Sequence, residues 1–348
     1  MITGGPVNAA SYVLAGLPNA NIAQGSMFIL FGQGLGPFPQ VNAFTFPLPT
    51  TLGGTSIRAT VGGTIVNAIM LYSLPFQVAA ILPSSTPTGN GTLTLTFGNR
   101  TSNAVPIRVV ANSVGIFTRN QGGSGPGVLF NFNSETNQPV NSLVEAAHPG
   151  QVLTLWGTGL GPVSGDEAAG PLPGNLSLPV DVYVGNKLVT PSYKGRSGCC
   201  AGIDQVVFAV PAGVEGCYVS VAVRAGGVIS NFATIAVTPS GKICSDPTGF
   251  SVADLQKVQS GATLNLADLT LARVHAKLSF PGLGNLEGNL DFGGGTFRAL
   301  RQRGGRAGLL QGQRWQPARP AFRGLVHGGP LWLPGILRRP IAVRRRRG

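Results

Sequence analysis

The sequence predicts an all-β chain of two tandem β-sandwiches, followed by a small helix-plus-strand appendage and a basic tail. Three observations carry this. Of 348 residues, 52 are Gly and 27 Pro, together about 23%, against a usual ~12%, and both residues break helices. Charged residues are only 11%, so Ser, Thr, Asn and Gln do most of the solvating. Third, the chain repeats itself. Gly25-Ser26-Met27-Phe28-Ile29-Leu30-Phe31-Gly32-Gln33-Gly34-Leu35-Gly36-Pro37 returns as Gly150-Gln151-Val152-Leu153-Thr154-Leu155-Trp156-Gly157-Thr158-Gly159-Leu160-Gly161-Pro162, 125 residues later. Gln77-Val78 and Ser102-Asn103 return at an offset of 128 as Gln205-Val206 and Ser230-Asn231. One domain in two copies, at 1–111 and 112–240, accounts for both offsets.

Within the first copy, Thr92-Leu93-Thr94-Leu95-Thr96-Phe97 alternates with period two and stops at Gly98-Asn99. Ser56 to Val61 and Ile107 to Val110 are further strand candidates. In the second copy, Tyr218 to Val223 alternates in the same way, joined by Val180 to Val184 and Ile235 to Val237. Short alternating runs punctuated by Gly, Asn and Pro, about 110 residues per copy, are the pattern of a sandwich. Residues 241–296 differ. Ser251 and Asp254 make a capping box, Val252, Leu255 and Val258 recur at helical spacing, and Gly261 stands where a left-handed cap belongs. Alternating apolar segments follow, through Leu278 and Phe280.

The charge is uneven. Residues 1–296 carry 12 Lys+Arg and 12 Asp+Glu, whereas 297–348 carry 13 Arg and no acid. The formal charge of +13 therefore describes a tail. Such a tail neutralises phosphates if it is genuine. Its abrupt composition, ending Arg344-Arg345-Arg346-Arg347, is equally what a frameshift in a GC-rich gene produces, and on either account 297–348 is expected to be disordered.

Several segments resemble a family of uncharacterised acidobacterial secreted proteins: Val7-Asn8-Ala9-Ala10-Ser11-Tyr12, Ile22 to Ser26, Phe31-Gly32-x-Gly34-Leu35, Leu52-Gly53-Gly54, Gly115 to Thr118, Gly157 to Gly161, Cys199 to Gln205, Pro211-Ala212-Gly213 and Cys244 to Pro247. The resemblance covers about 1–295. It implies tandem immunoglobulin-like domains of the IPT/TIG type and an extracellular or cell-surface location, and it brings no activity with it. No stretch of 18 or more apolar residues exists to cross a membrane, and the start at Met1 shows no signal-peptide pattern.

The candidate chemistry is sparse. The Gly32–Gly36 and Gly157–Gly161 runs lead into Pro37 and Pro162 rather than a helix, so tight turns are expected, not phosphate loops. Cys199, Cys200, Cys217 and Cys244 lack metal-ligand spacing and a nearby His. Their even number points to two disulfides, expected to join Cys199 and Cys200 separately to Cys217 and Cys244. Of His148, His275 and His327, only His148 lies in a sandwich, and its counterpart in the first copy is Ala23; a loop role is expected. Asp166-Glu167, Asp181 and Asp204 are too few for a calcium site. Phe38, Phe44 and Phe46 sit in a Pro-rich loop, where they either plug the end of a sandwich or form a platform for sugars. No catalytic residue, cofactor or metal is expected. The expectation is a non-enzymatic extracellular structural, adhesion or ligand-binding module. Its partner would be a protein or a glycan, with nucleic acid or another anionic polymer entering only through a genuine tail.

Overall fold

The structure is a computed structural model that describes residues 1–17, 19–244, 257, 260–280 and 284–300. The chain divides into two compact units, Met1–Ala253 and Asp254–Gly348.

The first unit holds two β-sandwiches of matching, immunoglobulin-like plan. In the first, one sheet runs in the order Val7–Asn8, Met27–Phe31, Gln77–Ile81, Ile69–Ser73, Val41–Asn42. The facing sheet runs Ile22–Ala23, Val105–Val110, Gly89–Phe97, Thr55–Val61, Thr51–Leu52, with Arg100–Thr101 and Thr64–Asn67 as side branches. The second sandwich repeats this plan except at one edge, where Lys187–Val189, following Val180–Val184 in the chain, stands where the first has Thr51–Leu52, which precedes Thr55–Val61. Its sheets run Gly115–Ile116, Val152–Thr158, Asp204–Ala209, Tyr193–Arg196, Gly174–Asn175 and Gly125–Pro126, Ala233–Val237, Gly216–Ala225, Val180–Val184, Lys187–Val189. Even the one parallel pairing recurs, as Val109 opposite Ile22 and as Ala233 opposite Gly125. The second copy adds the strand Leu129–Asn131 beside Val152–Thr158.

Alternation sets the faces. Leu93 and Leu95 are buried with Ile57, Phe28 and Leu30, while Thr92, Thr94 and Thr96 point away from that core. Val221 and Val223 do the same against Val182, Leu155 and Phe208. The repeated Ser-Asn dipeptide closes both sandwiches identically. Ser102 Oγ accepts from Leu95 N–H and donates to Asn103 C=O, and Ser230 Oγ serves Val223 and Asn231 in the same way. Asn103 then clamps both backbone groups of Ile2, as Asn231 clamps those of Ile116. These side chains substitute for ladder bonds that the chain ends would leave unmade.

Both glycine-rich runs are turns. Gly34 has φ +64° and Gly159 φ +99°, the left-handed region that glycine enters freely, and each turn drives a Leu (Leu35, Leu160) into the core.

In the second unit, Leu264–Phe280 and Gly284–Leu300 form one antiparallel hairpin in unbroken register, from Leu264↔Leu300 to Phe280↔Gly284. The strand part is thus longer than the alternating segments alone indicate, and its ladder includes Phe297–Leu300. Arg273 and Asp291 face each other across it as an exposed ion pair at 2.6 Å. The helix expected over 251–261 lies largely outside the described residues. Gly261 has φ +88° and Ala262 N–H donates to Lys257 C=O at 2.9 Å. Residues 301–348 lie outside the described residues, His327 and the terminal arginines included.

Candidate functional site

The two sandwiches of the first unit are joined through a buried polar centre. Arg196, at the end of Tyr193–Arg196, is 2% exposed. Its guanidinium donates to Gly161 C=O at 2.9 Å and crosses to the first sandwich at Gly25 C=O, 2.7 Å. It pairs with Asp204 on the neighbouring strand and with Glu167 at 3.4 Å. Glu167 in turn receives Ser84 N–H at 2.7 Å and Ser84 Oγ–H at 2.9 Å from the first sandwich. Burial pushes the Asp204 carboxyl above its ordinary value, against the pull of Arg196 and of the Leu160 and Gly159 amides. Arg196 Nε has no partner among the described residues.

Around this centre the contact is close. Thr158 Oγ1 accepts Met27 N–H and donates to Gly202 C=O. Asn8 Nδ2 donates to Ser113 C=O, and Leu48 N–H to Ala168 C=O. Ala201 packs with Leu48, Ile69 and Ile81 of the first sandwich. A Cβ on Gly25 would sit 2.1 Å from an Arg196 nitrogen, and one on Gly202 would sit 2.8 Å from Ile81. These two glycines are where the sandwiches touch backbone to side chain. The acids that sequence alone weighed as weak calcium ligands, Glu167 and Asp204, are spent here on a guanidinium. No cluster of three or more metal-ligating side chains occurs among the described residues. Asp181 pairs instead with Arg224 on the adjacent strand.

The cysteine pairing differs from expectation. Cys217 bonds to Cys244, with Cα atoms 5.5 Å apart, and Cys199 bonds to its own neighbour Cys200. The reason is topological. The chain that leaves Ala233–Val237 returns beside its partner strand Gly216–Ala225, which brings Cys244 to Cys217. The Cys199-Cys200 loop, by contrast, is held at the joint by Arg196 and Ala201 on its two sides.

The phenylalanines lie open to solvent: Phe38 is 84% exposed, Phe44 85% and Phe46 41%. Gly32 N–H bonds to Phe76 C=O and Leu35 N–H to Pro75 C=O, so Phe38 and Phe76 (59% exposed) leave from the same end of the sheet. From there Val41–Asn42 pairs with Tyr72–Ser73, and Ala43 N–H bonds to Leu71 C=O. Phe44 and Phe46 therefore follow along the same edge. The exposed rings thus leave the chain along one edge of the sheet. Amide and hydroxyl groups accompany it: Gln40 donates to Asn42 at 2.6 Å and Gln77 to the Tyr72 hydroxyl at 2.5 Å. Residues 1–57 contain no Asp, Glu, Lys, Arg or His, and neither do 59–99. Composition pointed to the loop and to Tyr72 and Phe76 near it, but not to the sheet edge that they share.

His148 is structural. Its Nδ1 lies 2.9 Å from Thr238 C=O and its backbone N–H is held by Gln151. His275 lies in the hairpin strand Leu264–Phe280 of the other unit.

No family model matches the chain, and no curated protein does. Among solved structures, the chain is similar to the mixed-linkage glucan utilization locus protein SGBP-B of Bacteroides ovatus, solved with a mixed-linkage heptasaccharide. There the identity is 12% over 83% of this chain and 68% of that one, with a TM-score of 0.29. Domains 5–6 of the S-layer protein SbsC align at 14% identity, over 69% of this chain and 99% of theirs, with a TM-score of 0.21. The I9–I11 tandem of titin aligns at 8%, over 86% and 94%, with a TM-score of 0.18. Similarity at this level transfers no function.

Proposed function

We propose that this chain is a non-enzymatic extracellular module that binds a neutral glycan along the Phe38–Phe44–Phe46 edge. The observation that carries this is the exposure of those rings on a stretch of chain with no formal charge. Water gains nothing by covering an aromatic face, and the C–H faces of a pyranose stack on it while neighbouring amides take the hydroxyls. An open sheet edge suits an extended polymer. The absence of charge within 1–57 disfavours an anionic one. Two disulfides support an oxidising, extracellular setting. The residues from Val7 to Tyr12 and from Cys199 to Gln205 support placing the chain with the IPT/TIG-type acidobacterial modules. A purely structural or adhesive role is the second reading, favoured by the locked joint at Arg196.

Affinity electrophoresis of the full chain through gels containing neutral polysaccharides tests the proposal. At least one β-glucan or mannan is expected to retard the protein, and Phe38→Ala/Phe44→Ala to run free with an unchanged unfolding midpoint, since both rings are outside the core. Equal retardation of the variant, or none across the panel, rejects it.

A further inference from the structure

We propose that the Cys199–Cys200 disulfide is a redox-addressable clasp on the joint between the two sandwiches. The bond sits in the short loop that leads from Arg196 to Asp204, and that loop contributes several of the second sandwich's contacts with the first. Arg196 reaches Gly25, Ala201 packs on Ile81 and Leu48, and Gly202 C=O accepts Thr158, which holds Met27. Ser197 ties the cysteines into this framework. Its N–H donates to Ile203 C=O, its Oγ–H to Cys200 C=O at 3.1 Å, and its Oγ accepts Cys200 N–H at 3.2 Å. Joining adjacent side chains closes a small ring through the peptide bond between them, and that removes backbone freedom at the point where Ser197 grips.

Access separates the two disulfides. Cys199 is exposed and Cys200 half-buried, whereas Cys217 is 6% exposed and its partner Cys244 half-buried, so only the Cys199–Cys200 bond has an exposed member. A dithiol reductant therefore meets Cys199 first. Its thiolate attacks Cys199 Sγ and expels Cys200 as a thiolate. Its second thiol then resolves the mixed disulfide, so that the reductant leaves as a cyclic disulfide and Cys199 and Cys200 each end with one proton. The freed loop keeps Arg196 and Ala201 but loses the ring that pre-sets their spacing. The joint is then held by weaker, independent contacts.

The test is a dithiothreitol titration of the full oxidised chain. Alkylation and peptide mass spectrometry read which cysteines have opened, and trypsin cleavage after Arg196 reads the joint. Arg196 is buried, so cleavage there requires the joint to open. With Cys199 and Cys200 alkylated and Cys217 and Cys244 still bonded, cleavage is expected to rise about tenfold, since proteolysis tracks the population of locally open forms. Cys199→Ser/Cys200→Ser is expected to show the fast cleavage without reductant and no further response to it. Unchanged cleavage after selective reduction overturns the proposal, as does opening of Cys217–Cys244 before or together with Cys199–Cys200. The wild-type titration decides the matter whether or not the serine variant folds.

Discussion

Arg196 carries a full charge into a joint where two carboxylates and two backbone carbonyls face it among the described residues. The loss of water is costly for all three ions, and the arrangement survives because the partners sit on fixed strands and turns. Removing one member strands the others. Arg196→Ala is expected to lower unfolding stability by about 3–5 kcal/mol, measured by urea denaturation. A loss under about 1 kcal/mol, the range of solvent-exposed pairs, would mean the joint is wet and unimportant. This centre was not legible in the sequence. Its groups come from Gly25, Ser84, Gly161, Glu167 and Asp204, and only Asp204 is near Arg196 in the chain. The cysteines were half legible. Their parity announces disulfides, but the pairing depends on which strands lie side by side, and adjacency in sequence argued against the bond that Cys199 makes.

Thr55–Val61, Gly89–Phe97 and Gly216–Ala225 were readable because alternation between Thr and Leu, or Ser and Val, is itself the record of one buried face, whereas Val152–Thr158 and Asp204–Ala209 were not marked as strands. Leu129–Asn131 was not, since three residues hold no period. The repeated Ser-Asn pair was visible as a match at offset 128, and its purpose emerges only from the bonds. Asn231 satisfies both backbone groups of Ile116 and the carbonyl of Gly123, all buried. Asn231→Ala leaves these groups unpaired and is expected to cost about 1–3 kcal/mol. Asn103→Ala is expected to cost less, because its bonds to Ile2 are only part-buried. Paired thermal melts check the order. Equal losses would show that burial does not set the difference.

For the whole molecule, the repeat made the two-sandwich plan legible, whereas the charge count began the tail at 297, inside the strand Gly284–Leu300. What the sequence left open was whether the aromatic loop closes over a sandwich or faces water. Local composition cannot decide that, because a Pro-rich loop presents its rings according to the strands it crosses. On the proposed function, recognition runs through an uncharged aromatic edge and not through the arginines of 297–348. Binding of the full chain to a panel of neutral and polyanionic polysaccharides, the tightest ligand then measured across a tenfold range of NaCl, decides between the two. Affinity that stays level with salt is the predicted result. Affinity that falls steeply and linearly on a log–log plot, as counterion release from an anionic polymer requires, would contradict it and give the binding to the tail.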